Sequence, residues 1–179
     1  IGCFGLTEPD HGSDAAAIET TCRREGDEWI LNGTKAWITN GSYADVIVTF
    51  ATMDPSLRAG GINAFVIEKS MPGFSVGKKE KKLGIRGSDT VQLIFDELRV
   101  PAQNLLGEEG HGIRTILDMV TLTRLDCALS SAGMMRASLA EAVHHCRYRS
   151  VFGDKLIDQP LMTRVLGDLA LDVAGATAL

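Results

Sequence analysis

Up to about residue 105 the apolar positions come in short runs broken by turn residues: "EWILNGTKAWITNG", "DVIVTFAT", "NAFVIEK", "GFSVGK" and "TVQLIFDELRV". Such runs, rich in Val, Ile, Phe, Trp and Thr and stopped by Gly, Asn, Asp and Pro, predict the strands of an antiparallel sheet or barrel. From about Glu108 the period changes. In "GIRTILDMVTLTRLDCALSSAGMMRASLAEAVHHCRYRSV" the apolar residues fall at helical spacing, as at Ile116, Met119 and Val120 and again at Leu139, Ala142 and Val143. The polar residues at 121–123 predict a junction between two helices, with Thr121 or Thr123 as N-cap. "FGDKLIDQP" breaks the pattern, and a last helix is expected from about Leu161. The chain therefore reads as α+β, a β domain over residues 1–107 followed over 108–179 by the opening helices of an antiparallel bundle.

Within the β half, Asn32-Gly33 is the strongest local signal, a pair suited to a two-residue hairpin turn with positive φ at both positions. If Leu31 then pairs with Thr34, Trp29 faces Ala36 on one side of the sheet, while Glu28 and Trp37 share the other. Thr39, two residues on, joins Trp37. A core tryptophan beside a strand-forming threonine would look the same. So would a face that receives a flat heteroaromatic ring between an aromatic plane and a hydroxyl.

The composition is that of an ordinary soluble protein: 179 residues, 45% hydrophobic and 23% charged, room for one large domain or two small ones. No apolar run approaches the length of a membrane span, and no basic flank leads into an apolar core at the N-terminus. Ile1 lies inside a predicted strand and "LALDVAGATAL" stops in mid-helix, so the chain is expected to be a piece of a longer one. A net charge of −5 argues against non-specific nucleic-acid binding by the chain as a whole. Cys3, Cys22, Cys127 and Cys146 form no CxxC pair, and buried free thiols are expected. His144, His145 and Cys146 are neighbours that point about 100° apart on a helix and cannot converge on one ion; no metal site is expected. The sequons at Asn32 and Asn40 read as turns.

The stretch "FGLTEPDHGSD" at 4–14 interrupts an apolar strand with small and polar residues, then gives way to "AAAIE". Gly12 offers φ values closed to other residues, and Ser13 or Asp14 can cap a short helix. Its free N–H groups, with the Thr7 and Ser13 hydroxyls, would make a small anion site. A plain capped connection would use the same residues. There is no GxGxxG, P-loop or nucleophile elbow.

Taken in order, "GCFGLTEPDHGSD", "LNGTKAWITNG", "GFSVGKKEKKLGIRGSDT", "FDELRVPAQNLLGEEGHG" and "RYRSVFG" resemble the acyl-CoA dehydrogenase family of flavoproteins, over essentially the whole chain. The resemblance implies a middle antiparallel β-barrel domain and the start of a C-terminal helical bundle. It implies FAD as cofactor, with Phe4, Leu6, Thr7, Gly12, Ser13, Trp37, Ile38 and Thr39 around it. Trp37 would flank the flavin, Thr39 would bond near N5, and Ser13 would approach the diphosphate and the CoA arm. Ser88, Thr121 and Arg124 would contact the acyl-CoA. Arg149 and Phe152 would reach the FAD of a neighbouring subunit in a homodimer or homotetramer, the Arg forking onto its diphosphate, and Gln159 would contact the adenine.

The reaction implied is α,β-dehydrogenation of an acyl thioester, with hydride passing to flavin N5 and electrons leaving through an electron-transfer flavoprotein. No catalytic residue is expected in this chain: the family's glutamate base would lie beyond Leu179, and Thr123 occupies the position it takes in one branch. The implied compartment is the bacterial cytoplasm or the mitochondrial matrix. "LTRLDCALSSAGMMR" followed by "VFGDKLIDQPLM" is closer to the alkylation-response branch, which sets a rival expectation of a flavoprotein that binds or protects DNA. The 18 basic residues against 23 acidic ones favour the dehydrogenase, because DNA binding draws its affinity from cations on phosphates.

Overall fold

The computed structural model describes residues 1–179. The apolar runs of the first half become seven strands of one curled, half-barrel sheet. They are β1 (Gly2–Gly5), β2 (Thr21–Glu25), β3 (Glu28–Thr39), β4 (Val46–Thr52), β5 (Ile62–Glu68), β6 (Phe74–Lys79) and β7 (Thr90–Pro101). Pairing runs β1-β4-β2-β3-β7-β6, with β5 on β4. It is antiparallel throughout except where β4 meets β1 and, at Thr21 and Thr52, β2; those two pairings are parallel. Trp29, Leu31, Ile47, Phe65, Leu93, Leu98 and Val100 fill the core, and Trp29 meets Phe65 edge to face with centroids 5.5 Å apart.

The hairpin expected at Asn32-Gly33 does not form. β3 runs unbroken through both residues, paired along its length with β7, and the two-residue turn is at Gly26-Asp27, where Glu25 pairs with Glu28 and Gly26 has φ 62. Asn32-Gly33 is instead a bulge, a register shift between Leu31 and Gly33. Asn32 spends its amide on Glu97 across the ladder: Nδ2 donates to the carboxylate at 2.7 Å and Oδ1 accepts from the Glu97 N–H at 2.9 Å. Gly33 is needed because a Cβ there would stand 2.5 Å from Thr20 Oγ1. The expected pairings of Leu31 with Thr34 and Trp29 with Ala36 fall with the turn, and the Asn32 sequon lies in a strand.

A second shift interrupts β3 between Lys35 and Ile38. Here Ala36 turns its N–H to the Thr7 carbonyl at 2.8 Å, and Trp37 takes φ 62, left-handed backbone that a bulky residue rarely adopts. The bulge lifts the indole to the surface, 60% exposed, as bulges beside functional sites often do.

The "AAAIE" helix shrinks to one 3-10 turn, Ala15–Ala17, with no side-chain cap. Asp14 goes instead to the Arg58 guanidinium, at 2.7 and 2.9 Å, and Gly12 is not in the left-handed region. The capped helix from which an anion site was argued there does not form.

In the second half, α1 runs from Gly112 to Tyr148 without a break, so the junction expected at residues 121–123 is also absent. The Thr123 hydroxyl donates to the Val120 carbonyl at 2.9 Å, a back-bond that lets a threonine sit inside a helix. A two-strand hairpin, β8 (Ser150–Val151) and β9 (Asp154–Lys155), precedes α2 (Pro160–Ala178). The chain divides into compact units Ile1–Asp118 and Met119–Leu179. The first turns of α1 belong to the sheet unit: Ile116 is buried, and a Cβ on Gly112 would strike the β5 backbone. In the helical unit α1 and α2 are antiparallel. Leu139 and Ala142 share a cavity with Leu169, and Leu125 and Leu129 share another with Leu179. Leu122, Leu125, Leu129, Met134, Val165 and Leu171 remain exposed, apolar surface of the kind that protein contacts cover. No helix is long and apolar enough to cross a membrane.

Candidate functional site

A cavity of about 300 Å³ opens where β1 runs into residues 6–7 beside the end of β3, lined by Gly2, Cys3, Phe4, Leu6, Thr7, Trp37, Ile38, Thr39 and Asn40. Six of the residues expected around a flat ring, Phe4, Leu6, Thr7, Trp37, Ile38 and Thr39, meet there. Trp37 and Thr39 are exposed on the cavity side, while the Ile38 side chain between them is buried in the core, as strand alternation requires. Phe4 and Trp37 offer aromatic surface, 44% and 60% exposed, and Thr7 and Thr39 offer hydroxyls. Cys3 stays a thiol, since burial pushes its pKa up to about 11. Gly12 and Ser13 are exposed and do not line this cavity.

Each wall is held from behind by a buried carboxylate that pattern reading does not single out. Glu8, 5% exposed, accepts from the Glu19 N–H at 2.6 Å, the Thr20 N–H at 3.0 Å and the fully buried Lys35 Nζ at 2.6 Å. Burial pushes the Glu8 pKa up, but the Lys35 charge and these bonds outweigh it and hold the group ionised below its usual range. Burial pushes Lys35 down to about 8 despite its partner. On the other wall Asp89 accepts from the Ser42 N–H at 3.1 Å, while its backbone carbonyl takes the Asn40 N–H at 3.2 Å. Lys79 Nζ stands 3.1 Å from its Oδ1. Burial raises the Asp89 pKa, and the Ser42 bonds and Lys79 more than offset this, leaving it lowered. The available signal was a Glu or Asp flanked by Gly, Pro and Ser, where a chain without regular hydrogen bonds needs side chains to fix it.

Ser88 lies elsewhere, in a cavity of about 420 Å³ lined by Lys79, Glu80, Lys81, Lys82 and Arg86, a cationic surface suited to an anion. In the helical unit, Thr121, Thr123 and Arg124 lie along α1. Arg149 sits between α1 and β8. Phe152 and Gly153 make the β8–β9 turn with φ 52 and 97, a geometry that leaves the Phe152 ring 98% exposed. Gln159 donates from Nε2 to the Val151 carbonyl at 3.3 Å, so it braces that hairpin. A larger cavity of about 580 Å³ between α1 and α2 is lined by Met134, Met135, Leu139 and Leu169 with few polar groups; it holds none of the expected site residues.

Residues 3–98 match the model of the acyl-CoA dehydrogenase middle domain, and residues 110–179 that of the acyl-CoA dehydrogenase C-terminal domain. The mitochondrial short-chain specific acyl-CoA dehydrogenase of Mus musculus is 46% identical over all 179 residues, which cover 43% of its length. The butyryl-CoA dehydrogenase structure from Megasphaera elsdenii superposes with a TM-score of 0.96 at 39% identity, over 99% of this chain and 47% of that one. A glutaryl-CoA dehydrogenase from Mycobacterium smegmatis, solved in complex with FADH2, superposes with a TM-score of 0.87 at 36% identity, over 98% of this chain and 44% of that one. The chain thus spans less than half the length of these relatives. With both domain models matched in order along the chain, the first of them over the sheet that carries the aromatic and hydroxyl-lined cavity, the chain belongs to the acyl-CoA dehydrogenase family.

Proposed function

We propose that this chain is the flavin- and substrate-facing part of an FAD-dependent acyl-CoA dehydrogenase. The observation that carries the reading is the cavity built by Phe4, Leu6, Thr7, Trp37, Ile38 and Thr39. Its fit to an isoalloxazine rests on chemistry: an exposed indole to lie against a ring face, two hydroxyls to bond a polar edge, and a volume at the lower end of ligand pockets, enough for a ring. The diphosphate and adenine would lie outside it, with Gly12 and Ser13 on one side. Arg149, Phe152 and Gln159 would hold the FAD of a neighbouring subunit, which makes oligomerisation part of cofactor binding. When bound, FAD supplies the acceptor for the hydride leaving the substrate's β-carbon.

Thr39 would donate to the reacting edge of the ring, Trp37 would shield one face from water, and Thr7 would hold the ring's polar edge. Ser88 with its cationic neighbours would take the nucleotide end of the CoA, and Thr121 and Arg124 would approach it from α1. The proton at the α-carbon needs a base that this chain does not supply, since Thr123 has no ionisable group; a glutamate outside it is expected to serve. A short acyl chain is the first substrate to test, since the mouse relative is a short-chain specific enzyme and the Megasphaera relative a butyryl-CoA dehydrogenase, and an electron-transfer flavoprotein is the expected acceptor.

The test is anaerobic mixing of the full-length flavoprotein with butyryl-CoA. Loss of the visible flavin absorbance is expected. A flavin that stays oxidised with short, medium and branched acyl-CoAs refutes the reading.

A further inference from the structure

Lys35 and Glu8 form an ion pair, 0% and 5% exposed, that the proposed chemistry does not use. Taking two charges out of water is costly, and an apolar pair of similar shape often serves stability as well. The other contacts of the pair suggest what it does. β1 ends at Gly5, so no ladder fixes the peptides that follow. Lys35 Nζ holds the Leu6 carbonyl at 3.4 Å, and the neighbouring Ala36 N–H holds the Thr7 carbonyl at 2.8 Å. Glu8 ties the same segment to the Glu19 and Thr20 amides. In a trans peptide the C=O and N–H point in opposite directions. A Leu6 carbonyl anchored on the buried lysine therefore turns the Thr7 N–H away from the lysine, and both residues of this peptide line the cavity.

We propose that the Lys35–Glu8 pair is a positioning device for the ring-binding wall, orienting the Leu6–Thr7 peptide so that the Thr7 N–H and hydroxyl face the polar edge of a bound flavin. The inference rests on the flavin reading above. Lys35 acts through the backbone and touches no ligand. Its stem also packs where a Cβ on Gly5 would come within 3.2 Å, so the strand end and the charge pair are one assembly.

The test uses the full-length protein and FAD, comparing wild type, Lys35→Met and the double variant Lys35→Met/Glu8→Gln. The single variant leaves a buried carboxylate unpaired and should lose both apoprotein stability and FAD affinity. The double variant removes both charges. Its apoprotein urea midpoint should recover only part of the single variant's loss, because the glutamine NH2 then faces the Glu19 or the Thr20 N–H, while its FAD dissociation constant stays raised about tenfold, the scale of one hydrogen bond lost, and the bound flavin's visible spectrum shifts toward that of free flavin. A double variant with wild-type FAD affinity and spectrum shows that the pair is only structural and overturns the inference.

Should the double variant not fold, wild type decides. The titratable groups facing Lys35 are Glu8 and Cys22; Glu8 is held low and the Cys22 thiol is pushed up to about 12 by burial. These groups share one buried network, so the readout is the Thr7 amide itself: on wild type, FAD should slow its hydrogen exchange by about tenfold or more, and a Thr7 amide that exchanges equally fast with and without FAD overturns the inference. A wild-type protein that binds no FAD sinks the flavin reading itself, and this inference with it.

Discussion

Replacing Trp37 by glycine should destabilise the protein less than replacing it by alanine, the reverse of the usual order in a strand. The indole is 60% exposed, so about two-fifths of its surface is covered. For a side chain that can bury up to about 250 Å² this is about 100 Å², or about 2.5 kcal/mol at about 25 cal/mol per Å². Both substitutions lose most of that. They differ in the backbone: φ is 62 at this position, a conformation that costs an L-residue about 1–2 kcal/mol and glycine nothing. Alanine keeps this strain. Glycine relieves it, at an unfolded-state entropy cost of about 0.5–1 kcal/mol. The balance favours Trp37→Gly over Trp37→Ala by about 0.5–1 kcal/mol. Urea unfolding of the flavin-free full-length variants measures it as a difference in midpoint at equal slope. An alanine variant as stable as the glycine variant, or more so, would refute the claim that the bulge at Trp37 stores strain.

Three further outcomes are expected. Trp29→Ala should cost about 3–5 kcal/mol, because Trp29 is 2% exposed against Phe65, yet folded protein should keep its FAD better than Trp37→Ala does; equal loss of FAD in a binding titration refutes this. Asp89 has a lowered pKa, so its stabilisation is complete above its unfolded value of about 3.9 and is lost as pH falls through the folded one. Asp89→Asn should accordingly flatten the fall of Tm on acidification, and an unchanged slope counts against it. Arg149→Lys should speed FAD release although the charge is kept, since an ammonium cannot fork onto a diphosphate; an unchanged release rate would make Arg149 a solvated surface group.

How far the sequence could be read depended on whether the relevant energy was local. The strands at 46–52, 62–68 and 90–101 were legible because alternation and β-branched residues reflect burial that any sheet would impose. Asn32-Gly33 misled because its turn chemistry is local while the deciding contacts are not: Glu97, 65 residues away, takes the Asn32 amide, and Thr20 leaves no room for a Cβ. The true turn, Gly26-Asp27, is the weaker signal in the more permissive place. Thr121 and Thr123 looked like caps for a similar reason, and the helix passes through them because a back-bond absorbs the Thr123 hydroxyl. Of the site, six of the nine residues that line the cavity were legible through motif resemblance, and Gly2, Cys3 and Asn40 were not. The buried carboxylates behind it were not, because Glu8 and Asp89 act on backbone brought to them only by folding.

The two bulges of β3 show which irregularities serve the fold and which serve the site. At Asn32-Gly33 the departure is cheap: glycine takes the unusual backbone, and the reciprocal Asn32–Glu97 bonds restore what the ladder loses. At Trp37 the same strand uses no glycine and holds the bulkiest of all side chains in left-handed backbone, exposed to solvent. Core packing cannot explain that choice, since little of the indole is in the core, and β-propensity cannot, since the residue is not extended. What the strain achieves is to set an aromatic plane beside Ile38 and Thr39 at the mouth of a cavity whose two walls are each fixed by a buried carboxylate. Strain, exposed aromatic surface and buried charge are each unfavourable to stability taken singly. Their coincidence at one cavity argues that this wall is shaped for a ligand that covers the indole when bound.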